Sequence, residues 1–206
     1  MLCLLTLSLD AGAQQGPDSE LRLVAQPGSR LWITGTTSVS EYACAANEIG
    51  GYAFVDRGTY QQLDDHKRGS AQVEVKVNVH QLDCGKRKMN HDMYDALKAR
   101  QHPNIRYELL SARIADTTAQ SDTASWYKID TRGVLEIAGV RDTLEMSVNA
   151  RMMSDRTFHI QGEKPLHMST FDIKPPTALL GLIRADERLV VHFDLLVAPT
   201  SPTTSR

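Results

Sequence analysis

A chain of 206 residues can bury one good core, since about 150 residues already hide roughly 70% of the surface the unfolded chain exposes, and one domain is expected. Its 23 Lys and Arg against 25 Asp and Glu leave a net charge of −2, and Lys86-Arg87-Lys88 is the one block of like charge that stands out. So nearly neutral a chain does not hold a polyphosphate by general electrostatics, which argues against a nucleic-acid partner.

The first residues, MLCLLTLSLDAGAQQ, set a short Leu-rich run before the small-residue step Ala11-Gly12-Ala13, as a secretory signal peptide does. Cleavage after Ala13 is expected, making residues 1–13 a leader and the protein periplasmic or secreted. The apolar run stops at Asp10, far short of the roughly 20 residues a spanning helix needs, so no transmembrane segment is expected. Without the leader and its Cys3, Cys44 and Cys84 remain, an even count that favours a disulfide in an exported protein. Two buried free thiols are the alternative. A zinc site from His80, Cys84 and His91 lacks the tight paired spacing of structural sites.

Residues 14–28 are polar and marked by Gly and Pro, and read as a linker. Leu31-Trp32-Ile33-Thr34-Gly35 opens the globular part behind the turn signal Pro27-Gly28. In residues 41–55 the Gly50-Gly51 pair suggests a bulge or sharp bend in a curved strand, and residues 56–70 read as a hairpin loop. Val73, Val75, Val77 and Val79 then alternate with Glu74, Lys76 and Asn78, a half-buried strand. A short helical segment follows with Met89, Met93 and Leu97 on one side, and His102-Pro103 forces the chain extended again. Ile105, Tyr107 and Leu109 begin a strand running to about Ile114, and 115–124 is a polar loop. Residues 126–130 and 133–137 read as a hairpin around Thr131-Arg132. Leu144, Met146, Val148, Ala150 and Met152 make a second strongly alternating strand. Residues 157–168 read as a strand, Pro175-Pro176 breaks a turn-rich connection, and Leu189, Val191, Phe193, Leu195 and Val197 share one face of the last strand. Residues 199–206 are a loose polar tail. Strands at this spacing argue an antiparallel barrel or a sandwich, and alternation alone does not separate the two.

The segment DCGKRKMNHDMYDALKARQHPNIRY resembles the signature of the YceI-like family of periplasmic, lipocalin-like, polyisoprenoid-binding barrels. In LEIAGVRDTLEMSV and the residues before it, Gly133, Leu135, Ile137, Gly139 and Val140 occupy positions of that family's strand pair. An Asp-x-x-His-Ser step expected before the first long strand is absent from SRLWITGTTSVSEYA, and STFDIKPP stands where the family has Arg-x-x-Phe-Gly, which marks a divergent member. The resemblance implies an all-β, antiparallel up-and-down barrel of about eight strands over residues 29–198, with a short plug helix near residues 89–99.

The chain carries no G-x-S-x-G elbow, no H-E-x-x-H, no phosphate-cradling Gly-rich loop and no G-x-G-x-x-G. His80, His102, His159 and His192 lie in or beside strands and read as structural, and Asp92 beside His91 reads as a helix-start carboxylate rather than an acid/base partner. No catalytic residue, metal or cofactor is called for. An eight-strand barrel is either just filled by its side chains or holds one small ligand when they are small. The inward set here mixes small and flexible residues with few aromatics. The resemblance implies a non-catalytic carrier of an isoprenoid or other amphiphilic lipid. Val75, Val77, Tyr107, Met146, Val148, Met152, Val191 and Phe193 are the expected ligand contacts, with Arg87, Lys88 or Arg106 as cations for an anionic head group. Two rivals stand beside this: a ligand-free structural or stress-related interaction barrel with a packed interior, and a lipid-modifying enzyme on the same scaffold. A homodimer is left open.

Overall fold

The computed structural model describes residues 20–56, 71–118, 126–153, 155–178 and 182–200. The leader, the start of the linker, nearly all of the 56–70 loop, residues 119–124 of the next loop and the tail from residue 201 lie outside the described residues.

The segment read as linker contains a strand, β1 (Glu20–Ala25). Leu21, Leu23 and Ala25 alternate with polar or outward residues, and Leu23 is almost fully buried. Pro27-Gly28, with Gly28 at φ 95°, turns the chain into β2 (Arg30–Thr37), so β1 and β2 are two halves of one bent stave. The partner stave bends likewise between β3 (Glu41–Ala46) and β4 (Gly50–Asp56). Gly51 sits at φ 127°, where a Cβ would stand 2.1 Å from the Glu74 carbonyl oxygen, so the close approach at this bend admits only glycine.

The valine-alternating segment forms β5 (Ala71–Asn78). A single 3-10 turn over Val79–Gln81, capped by the Asn78 side chain accepting from the His80 N–H, carries it into the short β6 (Leu82–Asp83). Helix α1 (Arg87–Ala96) follows, matching the expected plug, and β7 (Asn104–Thr118) returns. The strand runs past the expected end at Ile114, through register shifts after Leu109 and Ile114.

The hairpin expected around Thr131-Arg132 does not exist. β8 (Trp126–Ile137) is continuous, with Thr131 paired to Met146 and Arg132 to Glu145 of β9 (Val140–Met152). Gly133 suggested the turn, but the Tyr107 ring lies over it, at 2.4 Å from where a Cβ would be. The true turn is Ala138-Gly139, both at positive φ, the two-residue form whose twist suits a hairpin. Then come β10 (Phe158–His167), a 3-10 turn at Met168–Phe171, the two-residue β11 (Thr177–Ala178) and the long β12 (Ile183–Pro199).

The strands pair in the order β1-β4-β5-β7-β8-β9-β10-β12-β2-β3-β6, and β1 also pairs β12 through Leu23↔Pro199 and Ala25↔Val197. With the bent halves counted together, this is a closed antiparallel barrel of eight staves. Closure gives every stave a paired neighbour on each side over at least part of its length.

The two ends differ. One gathers α1, the 138–139 turn and the Met168–Phe171 turn. Here Ile137, Ala138, Leu144, Leu166, Met168, Phe171, Ile173 and Ala185 form the dense core, with Ala96 and Leu97 of α1 packed on it. At the other end lie β1, the end of β4 and start of β5, the end of β7 and start of β8, and the junction of β9 with β10.

Candidate functional site

The interior follows from the register. β5 Val75 faces β7 Tyr107, β8 Thr131 faces β9 Met146, β9 Ala150 faces β10 Ile160, and β10 Gly162 faces β12 Phe193. Alternation puts each of these pairs on the same face as the core residues. All eight expected ligand contacts lie on that inner face, but at different depths. Val77 and Val148 are nearly fully buried (4% and 8% exposed), whereas Val75, Tyr107, Met146, Met152, Val191 and Phe193 are half-buried. Toward the far end exposure is uneven: Ile114, paired with the inward Ile129, is 39% exposed, whereas Ala150 of β9 and Leu23 of β1 are nearly fully buried. Sequence periodicity missed Ile114 because the β7 bulge between Leu109 and Ser111 shifts the register before it. The structure thus has a packed bottom and an apolar wall above it that solvent still reaches.

The bottom is held from two directions. Cys44 of β3 and Cys84, just after β6, are joined in a disulfide, as expected from the sequence, with Cα atoms 3.9 Å apart. Asn90 of α1 accepts from the Cys84 N–H (2.7 Å) and donates to Asp83 (2.8 Å), and Tyr94 donates to the Leu82 carbonyl (2.8 Å). The Asn90 amide and then the Gly85 N–H hold the Asp83 carboxyl below its ordinary pKa. The plug helix is therefore tied to the strand that carries the disulfide.

Polar groups on the inner face are few. Tyr42 lies over Gly35, and burial, then the nearby Asp186, raises its phenol pKa. Burial also raises the Tyr107 pKa, partly offset by the neighbouring Thr131 hydroxyl. Thr131 gives its proton to the Met146 carbonyl (2.9 Å), and the buried Tyr107 hydroxyl has no hydrogen-bond partner of good geometry.

The three expected head-group cations are not on this face. Arg87 and Lys88 begin α1 on the outside of the closed end, where Lys88 pairs with Asp92 at 2.8 Å. Arg106 is an even-numbered residue of β7 and points outward, into a shallow depression shared with Glu74, Glu108, Glu136 and Arg141. Proximity in sequence to the plug had suggested them, but alternation turns Arg106 away.

The cation that does occupy an inward position is Lys164. It stands between Gly162 and Leu166 on β10, opposite the inward Val191. Among the described residues no group of His, Cys, Asp and Glu could hold a metal ion. No helix among them is long and apolar enough to cross a membrane.

A closed eight-stave antiparallel barrel, plugged at one end by a helix, is of the lipocalin-like fold class. The chain belongs to the YceI-like domain family, whose model matches residues 34–195. Solved structures share the fold. A polyisoprenoid binding domain from Saccharophagus degradans implicated in plant cell wall breakdown superposes with a TM-score of 0.65 at 10% identity, covering 87% of this chain and 99% of that one. BcnA of Burkholderia cenocepacia gives 0.59 at 16% identity, covering 83% and 96%. The YCEI protein of Campylobacter jejuni gives 0.52 at 12% identity, covering 77% and 84%. No curated protein sequence matches the chain.

Proposed function

We propose that the barrel is a non-catalytic carrier that encloses the chain of an isoprenoid or similar amphiphilic lipid. The observation that carries this is the half-exposed apolar inner wall above a tight core, from Val75 and Tyr107 to Ile114. Apolar surface left wet inside a barrel gains free energy when a hydrocarbon covers it, about 0.8 kcal/mol per buried methylene. Ten such groups contribute about 8 kcal/mol before the costs of association, and a longer prenyl chain adds to this in proportion. Membership of the YceI-like family, and the polyisoprenoid binding domain among the chain's structural neighbours, support the same ligand class. The disulfide supports an oxidising compartment, periplasmic or extracellular.

The test is native mass spectrometry with solvent extraction on protein exported to a bacterial periplasm. A prenyl lipid bound at close to one per chain is the expected result. A mass that stays ligand-free after incubation with polyprenyl phosphate and prenylquinone contradicts the proposal and favours a packed interaction barrel.

A further inference from the structure

β9 and β10 are joined over less than half their length. Their ladder runs from Phe158↔Met152 to Gln161↔Asn149 and then stops, although both strands continue toward the plugged end. Pro165 of β10 is one reason, since it has no N–H to give to a neighbouring strand. In the seam so opened, the Lys164 ammonium donates to the Glu145 carbonyl of β9 at 2.5 Å, a backbone acceptor this part of the ladder leaves free.

Lys164 is the one Lys or Arg at an inward register position among the described residues. On the next staves round the ring come Met146, its partner Thr131, and then Tyr107. Lys164 on β10, Thr131 on β8 and Tyr107 on β7 thus put a cation, a hydroxyl and an unpartnered phenol on three of four successive staves, with Met146 of β9 between the first two, just above the packed core. A buried hydroxyl with no acceptor is destabilising unless something else accepts from it.

Resting on the carrier reading above, we infer that Lys164, Thr131 and Tyr107 form the head-group site, and that it takes an amphiphile with an anionic oxygen head, held at the β9–β10 seam with its chain toward the far end. The ammonium supplies the charge, free to leave a neutral carbonyl for a phosphate or carboxylate oxygen, a stronger acceptor. The Tyr107 phenol supplies a donor on the opposite side. Reaching it takes a side-chain swing, and the residue paired with Thr131 is the unbranched, adaptable Met146. The order of contacts is thus head deep, tail outward.

The experiment compares four probes on the delipidated full chain: geranylgeranyl monophosphate, geranylgeraniol, a benzoquinone with the same side chain, and palmitate. Wild type should prefer the phosphate over the alcohol by tenfold or more. Palmitate binding with the same Lys164 dependence would assign the site to carboxylates as well, and its absence would restrict it to prenyl phosphates. Lys164→Met should abolish the preference without weakening the alcohol, Lys164→Arg should restore most of it, and Tyr107→Phe should lower phosphate affinity several-fold. Equal affinity of wild type for phosphate and alcohol, or an unchanged preference in Lys164→Met, would overturn the head-group site while leaving the carrier intact. Binding of none of the four would overturn both.

Discussion

Asp194 of β12 receives Arg30 at 2.7 Å and His159 at 2.7 Å on the outer wall, where Trp32 stacks on His192 and the Trp126 ring lies tilted against His159. The Arg30 hydrogen bond, then that of His159, holds the Asp194 carboxyl below the ordinary carboxylate range. A depressed folded pKa means that the unfolded chain takes up the proton first as pH falls. The contribution is therefore complete above the unfolded pKa, near 3.9, and is lost as pH drops through the lower folded value. Asp194→Asn should lower the denaturation midpoint at pH 7, and the difference from wild type should vanish in strong acid. A difference that persists at pH 2 would contradict this origin. Tyr107 makes an opposite case. Removing its unpartnered hydroxyl in Tyr107→Phe should leave the ligand-free protein as stable or up to about 1 kcal/mol more stable in urea titrations. In contrast, Gly133→Ala drives a methyl into the Tyr107 ring and should cost about 1–3 kcal/mol, as overpacking does.

At the scale of elements, the plug depends on the disulfide that anchors its leading loop. Cys44 and Cys84 are 40 residues apart in sequence, a loop whose closure restricts the unfolded chain by about 4 kcal/mol in the entropic model. Reduction, or Cys44→Ser with Cys84→Ser, should lower the urea midpoint by a corresponding amount, with hydrogen exchange rising first in α1 and β6. Unchanged protection of α1 after reduction would show that Asn90 and Tyr94 alone hold the helix. These elements also show what was legible in the sequence. The valine alternation of β5, the plug before His102-Pro103, and the last strand could all be read because their side chains obey one period over the whole element. β1 was hidden by its flanking Pro and Gly, which mark a bend within a stave rather than a domain boundary. β8 was split wrongly because Gly133 serves the Tyr107 ring, a contact to a strand 26 positions earlier that no local pattern reports.

For the whole molecule, periodicity assigned the inner face of the strands short of the β7 bulge, but not its depth. Val77 and Val75 look alike in sequence, yet one lies in the packed bottom and the other on the half-exposed wall. Which end is closed depends on where α1 and the Met168–Phe171 turn fold back, and that follows from the three-dimensional ring, not from spacing. The cation proposed here for the head group was not legible for a related reason: Lys164 sits next to a proline in an ordinary strand, and only the broken β9–β10 ladder brings it to a seam.

The central claim is that the wall above the core is a ligand site and not filler. The most direct measurement is a pair of tryptophan substitutions read by urea denaturation and by retained prenyl lipid. Val75→Trp should keep within about 1 kcal/mol of wild-type stability and lose the lipid, because it fills space that the ligand would occupy. Val77→Trp, placed in the packed bottom, should cost about 1–3 kcal/mol or more. Equal, large destabilisation by both, with no lipid retained by wild type, would show an interior already full and contradict the account.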